Sequence, residues 1–217
     1  MQLLQYELNG RLFDACRVPP GTLSRHEEEI LRLGAAKAVL PVTVTETAEG
    51  TEIAFAHEET ELFAVWFRRN RGLWDAQGDR LLRFAMRIVR GLLDAEAHFL
   101  PLDLFAIDAD RVRIRPRDEE VFLVPDAAVR LAGTPDGTET EGNEALPDAS
   151  DPARLRTELA AFLKELGSGL GDSAWNRYRK RLLLDLTEET GGLGAVLGVL
   201  ERARGELYRI LPGEGEE

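Results

Sequence analysis

The chain has 217 residues, 44% of them hydrophobic and 30% charged, with a net charge of −12; this balance describes a soluble globular protein of one large domain or two small lobes. So much negative charge argues against nucleic acid as the partner, because the phosphate backbone repels an acidic surface. Cys16 is the only cysteine, which excludes an internal disulfide and a thiolate metal cluster and suits a reducing cytoplasm. The opening MQLLQYELNG has neither the basic start nor the apolar centre of a signal peptide, and no apolar run is long enough to span a bilayer.

Residues 2–18 predict a hairpin, with apolar residues alternating on both sides of an Asn9-Gly10 turn. Pro19-Pro20-Gly21 ends it. Thr22 or Ser24 then caps a helix through SRHEEEILRLG, which Gly34 closes. Alternating strands are expected at 38–46 (AVLPVTVTE), at 51–59 (TEIAFAHEE) after a Glu49-Gly50 turn, and at 61–67 (ELFAVWF). The charged, glycine-bearing stretch 68–78 reads as an exposed hinge, dividing a sheet lobe over 1–67 from a helical lobe over 79–217.

From Asp79 the period is helical. Leu81, Leu82, Ala85, Ile88, Val89, Leu92 and Leu93 recur at three- and four-residue steps, while Arg80, Arg83, Arg87 and Arg90 lie along the other face. Past His98-Phe99-Leu100-Pro101 the period changes to two. Leu104–Ile107 is apolar, Asp108-Ala109-Asp110 is turn chemistry, and Val112 and Ile114 alternate with Arg111, Arg113 and Arg115, so a hairpin is expected over 104–115. Residues 131–150 are rich in Gly, Thr, Pro and acid, the composition of a mobile loop. Asp151-Pro152 starts a helix with Leu155, Leu159, Phe162, Leu163 and Leu166 as its buried stripe, stopped at Gly167. Another runs from Asp172 or Ser173 to Gly191-Gly192, and a last one carries Leu193 to Leu211 before Pro212-Gly213.

This order resembles a protein kinase. In that family a long helix leads to H-R-D-x-x-x-x-N, a hairpin and D-F-G. Laying PLDLFAIDADRVRI over the family's loop and hairpin puts Asp103 at the metal-binding Asn and His98 at the catalytic Asp, and the D-F-G Asp falls on Pro116. ACRVPP resembles the strand bearing the phosphate-binding Lys, with Arg17 in its place; RHEEEILRL resembles the following helix, with Glu27 at the Glu that pairs with that Lys. No G-x-G-x-x-G precedes them. The resemblance implies an α+β, bilobal, protein-kinase-like fold: a small antiparallel sheet lobe and a mainly helical lobe. In pattern it is similar to degenerate bacterial kinase-like domains, such as those of type VII secretion components and of forkhead-associated-domain proteins.

A proline cannot hold magnesium, so the resemblance implies a noncatalytic, pseudokinase-like scaffold without cofactor or metal, binding a protein partner in the cytoplasm. Its alternative is a divergent phosphotransferase using Asp103 with His98 as a rearranged base. The residues also have plainer readings. His26, His57 and His98 lack ligand spacing, His98 suits a loop histidine satisfied by backbone, Glu27 a solvated helix face, and Cys16 a core position. The arginines fall into three clusters: Arg80 to Arg90 on the long helix, Arg111, Arg113, Arg115 and Arg117 on one side of a strand, and Arg177, Arg179, Lys180 and Arg181. Either they pair with neighbouring acids or they form a docking face for an acidic or membrane-associated partner. The strand cluster is the expected docking face, because burial of Val112 and Ile114 turns its arginines outward. The sequence does not fix the oligomeric state.

Overall fold

The structure, a computed structural model, describes residues 2–56, 59–108, 111–127 and 151–210. β1 (Gln2–Leu8) and β2 (Arg11–Val18) form the expected hairpin around Asn9 and Gly10, which sit at φ 54° and 77°. A two-residue turn of this hand needs both angles positive; glycine supplies that freely and asparagine tolerates it. α1 (Arg25–Leu33) begins in a capping box: the Ser24 hydroxyl oxygen accepts from the Glu27 N–H, and the Glu27 carboxylate accepts from the Ser24 N–H. β3 (Thr43–Thr47) and β4 (Gly50–Ala56) complete an antiparallel sheet of order β1-β2-β4-β3. Gly50 is required there, since a Cβ would lie 2.2 Å from the Val18 carbonyl oxygen.

The strand expected at 61–67 is mostly helix. Only Glu61–Leu62 is extended (β5), and Phe63–Asn70 forms α2. Phe63, Ala64, Trp66 and Phe67 are buried while Val65 is half exposed, which is a helical spacing and not an alternation. The Phe63 ring packs on Phe84 of α3 (Gln77–Ala97) and on Phe162 of α4 (Pro152–Gly167). α2 therefore belongs to the helical lobe. The stretch 68–78, expected as a hinge, holds the end of α2, a 3-10 turn at Arg71–Leu73 and the start of α3.

The second sheet pairs β5 with β6 (Val112–Arg115) and β7 (Glu120–Leu123), all antiparallel. Its hairpin turns at 116–119, one strand later than expected. Residues 105–107 are buried but make no ladder, because α4 takes up their polar groups. Arg154 donates to the carbonyls of Leu102 and Phe105, and the Glu158 carboxylate accepts from the Ile107 N–H at 2.8 Å. The expected strand 38–46 is likewise divided. Thr43–Thr47 joins the first sheet, while Leu40 donates to the Leu123 carbonyl and Leu123 to that of Ala38, both at 2.8 Å. Those two bonds stitch the lobes together.

α4 opens on the Asp151 cap with proline at its first turn, and α5 (Ser173–Glu188) on Asp172. α6 (Leu193–Ile210) lies against α3. Trp175 is fully buried and donates its indole N–H to the Gly167 carbonyl at 2.9 Å. A Cβ at Gly167 would come within 2.4 Å of that ring, so the glycine is a packing requirement as well as a helix stop. Among the described residues no helix is long and apolar enough to cross a membrane. The loop expected at 131–150, the helix end at Pro212-Gly213, and His57 lie outside the described residues.

Candidate functional site

The two lobes meet where β7 ends. Beyond Leu123 the chain runs through Val124 and Pro125 to Asp126, whose N–H donates to the Leu104 carbonyl at 2.8 Å. Asp126 is almost fully buried. Arg111, immediately before β6, reaches it with Nε at 2.7 Å and engages Asp108 with a terminal nitrogen. Burial works against the charge of Arg111, yet the hydrogen bonds to Asp126 and Asp108 outweigh it and raise its pKa. One guanidinium thus bridges two carboxylates on either side of the hairpin.

Cys16 faces this cluster from the sheet lobe. Burial, reinforced by the charge of Asp126, pushes its thiol up to about 11. From an ordinary 9.0, this makes the thiolate at pH 8 about a hundredfold scarcer. Alkylation by iodoacetamide is accordingly expected to be about a hundredfold slower in the folded chain than in denaturant; equal rates would show the thiol open to solvent. The same shift makes Cys16 favour the fold below pH 9, a contribution lost as pH rises from about 9 toward about 11.

The residues singled out in the sequence are dispersed. Arg17 lies on the opposite face of β2 from Cys16, because neighbours on a strand alternate. It pairs with Glu49 and with Glu52, the latter at 3.0 Å. Glu27 is a buried cap residue and no partner of Arg17. His98 caps α3, with Nδ1 2.8 Å from the Asp94 carbonyl oxygen. Asp103 sits in a short 3-10 turn, Leu102–Leu104. Pro116 lies in the turn between β6 and β7 and so does not follow the hairpin.

The strand arginines do not form an open face. Arg113 is only 5% exposed; Nε meets the Thr60 hydroxyl at 3.0 Å, and the guanidinium lies 5.5 Å from the Phe55 ring centre. The outward side of β6 is covered by the sheet lobe, and that burial lowers the pKa of Arg113. Arg115 is engaged by Asp118 and Glu120, and Arg117 by Glu59 and Asp118. On α3, Arg80 pairs with Glu119, Arg83 with Asp79 and Arg90 with Glu201, whereas Arg87 meets a backbone carbonyl. On α5, Arg177 donates to the Ser173 carbonyl and Arg181 lies 3.8 Å from Asp185.

Cavities open on the surface of the described residues away from the Arg111–Asp126 cluster. A polar one of ≈ 1020 Å³ separates α1 from β3 and β4, and one of ≈ 560 Å³ lies between α3 and the β6–β7 hairpin. Neither is lined by Arg111, Asp126 or Cys16. Among the described residues no three His, Cys, Asp or Glu side chains converge as metal ligands. Sequence reasoning passed over Asp126, Arg154 and Glu158. Their signal is faint: Asp126 follows a second alternating run, EVFLV, which lies outside the hairpin expected at 104–115.

No family model matches the sequence, and no curated protein matches it. Among solved structures the chain is similar to the kinase domain of maize sucrose-induced receptor kinase 1, crystallised with AMP-PNP. The match has a TM-score of 0.53 at 11% identity and covers 93% of this chain and 89% of that one. A likeness that covers nearly the whole of both chains, and so spans both lobes, establishes that this chain has a bilobal, protein-kinase-like α+β fold.

Proposed function

We propose that this chain is a noncatalytic, pseudokinase-like module that binds a protein partner. The observation that carries the reading is the Arg111 bridge. In kinases the metal-binding Asn directly precedes the hairpin and the D-F-G Asp follows it, the two holding magnesium between them. With the hairpin at 112–123, the residue preceding it is Arg111, and the carboxylate following it is Asp126. A neutral metal ligand is thereby exchanged for a guanidinium that satisfies the remaining carboxylate itself. The catalytic Asp stands five residues before that Asn in the family pattern, a position held here by the buried Ala106. On the opposite wall Cys16, with its thiol protonated, presents no cation to a phosphate.

In this reading Ala106, Arg111 and Asp126 take the places that the resemblance in sequence gave to His98, Asp103 and Pro116. That placement supports the noncatalytic reading more strongly, since a resident cation disfavours a second one. Millimolar magnesium ATP is expected to leave the melting temperature unchanged. Occupancy at a hundred times the dissociation constant would add about 2.7 kcal/mol, which a thermal scan detects. A stabilisation that disappears in Asp126→Asn would establish a nucleotide site and remove the basis for this reading.

A further inference from the structure

We propose that the groove between α3 and the β6–β7 hairpin, continued along the arginine face of α3, binds an acidic segment of a partner protein. This rests on the noncatalytic reading and gives the chemistry of the partner. The groove, of ≈ 560 Å³, has the size of a ligand cleft. Its lining includes three residues with small or short side chains, Gly91, Ala38 and Val121. A Cβ at Gly91 would lie 2.9 Å from that of Ala38, so helix and segment approach closely and leave a depression beside them.

The rim carries charge that the fold does not neutralise. Lys37 is exposed and makes no ion pair among the described residues. Arg87 lies 5.4 Å from the Phe84 ring centre and donates to the Glu119 carbonyl, neither of which cancels its charge. Arg90 pairs with Glu201, but both side chains are more than half exposed, and such pairs exchange readily for a better carboxylate. Of the groove's own acids, Asp118 and Glu120 are engaged by Arg115. Asp94 lies 3.5 Å from His98 with its other oxygen buried and without a hydrogen-bond partner, so that three cations face one acid that the fold leaves unneutralised.

One turn earlier on α3, Arg83 shares a single carboxylate, Asp79, with Arg204 of α6. Both guanidiniums also donate to the Tyr208 hydroxyl oxygen. From Arg83 to Arg90 the helix rises about 10 Å, the reach of three extended residues. Positive charge therefore exceeds negative along one face of a chain whose net charge is −12. A peptide carboxylate gains guanidinium hydrogen bonds there, and the fixed helix holds the donors in place. A bilayer fits the site less well, because a flat surface cannot enter a groove and the chain's overall charge opposes anionic lipid.

The test is fluorescence anisotropy of a labelled glutamate–alanine peptide titrated with the full chain, with a lysine–alanine peptide as control. Saturable binding of the acidic peptide alone is expected. It should weaken at least about tenfold in the Lys37→Glu/Arg87→Glu double variant and on raising salt from about 50 to about 300 mM. Both positions are exposed; Arg87→Gln, which keeps the length of the side chain, gives a second measure, and Arg68→Glu on α2 should change nothing. Equal binding by parent and double variant overturns the proposal, as does equal binding of both peptides. Binding to phosphatidylserine vesicles but not to the peptide overturns it too. If the peptide fails to bind while magnesium ATP stays silent, the docking surface is wrong and the noncatalytic reading stands; nucleotide binding would instead remove the reading itself.

Discussion

Phe63→Ala is expected to destabilise the chain by about 4 kcal/mol and to lower its melting temperature by roughly 8–16 °C. Phe63 has no exposed surface. Its ring centre lies 5.0 Å from that of Phe84, 5.6 Å from those of Phe67 and Phe162, and 6.1 Å from that of Trp66. Truncation opens a cavity walled by rings on α2, α3 and α4, three helices that cannot all move inward to close it. Scanning calorimetry measures the outcome. A fall of less than about 3 °C would place Phe63 outside the core, as an alternating strand over 61–67 would allow.

Arg111→Ala should cost about 2 kcal/mol and lower the melting temperature by roughly 4–8 °C. Removing one partner of an ion pair strands the other, and Asp126 has only 12% of its side chain exposed. The penalty stays below that of a fully buried pair because Arg111 is itself about one-third exposed, so water reaches part of the site. Arg115→Ala is the internal comparison. Its partners Asp118 and Glu120 are 43% and 49% exposed, and the change should fall within about 1 kcal/mol. Equal losses in the two variants would mean that Arg111 is ordinary surface.

Both predictions depend on details that the sequence carried unevenly. Local chemistry was legible. Asn9-Gly10, Ser24, Gly34, Asp151-Pro152 and Asp172 each signal through the residue's own hydrogen-bonding or φ preference, and each appears where that preference puts it, whereas Glu27, expected on a solvated face, is a buried cap residue. The period of α3 was equally plain. What failed was the assignment of short apolar runs whose partners are remote. Phe105, Ala106 and Ile107 look like a strand, but their polar groups are taken by Arg154 and Glu158, about fifty residues later. Arg113 looks outward because its neighbours Val112 and Ile114 point inward. The cover comes from Phe55 on β4 and from Thr60 just before β5, and no window around residue 113 contains it.

The candidate site followed from that slip. The kinase-like fold was legible, yet the hairpin lies one strand further along the chain, so that Pro116 falls within its turn while Arg111 and Asp126 flank it. Pro116 offers no carboxylate, whereas Asp126, beyond the hairpin, is a carboxylate held by Arg111 at 2.7 Å.

Calorimetric titration of magnesium ATP into the unmodified chain tests that account most directly. The account predicts only heats of dilution through millimolar nucleotide, because Arg111 satisfies Asp126 and the protonated Cys16 offers phosphate no cation. A saturable isotherm that requires magnesium and is lost in Asp126→Asn would contradict it.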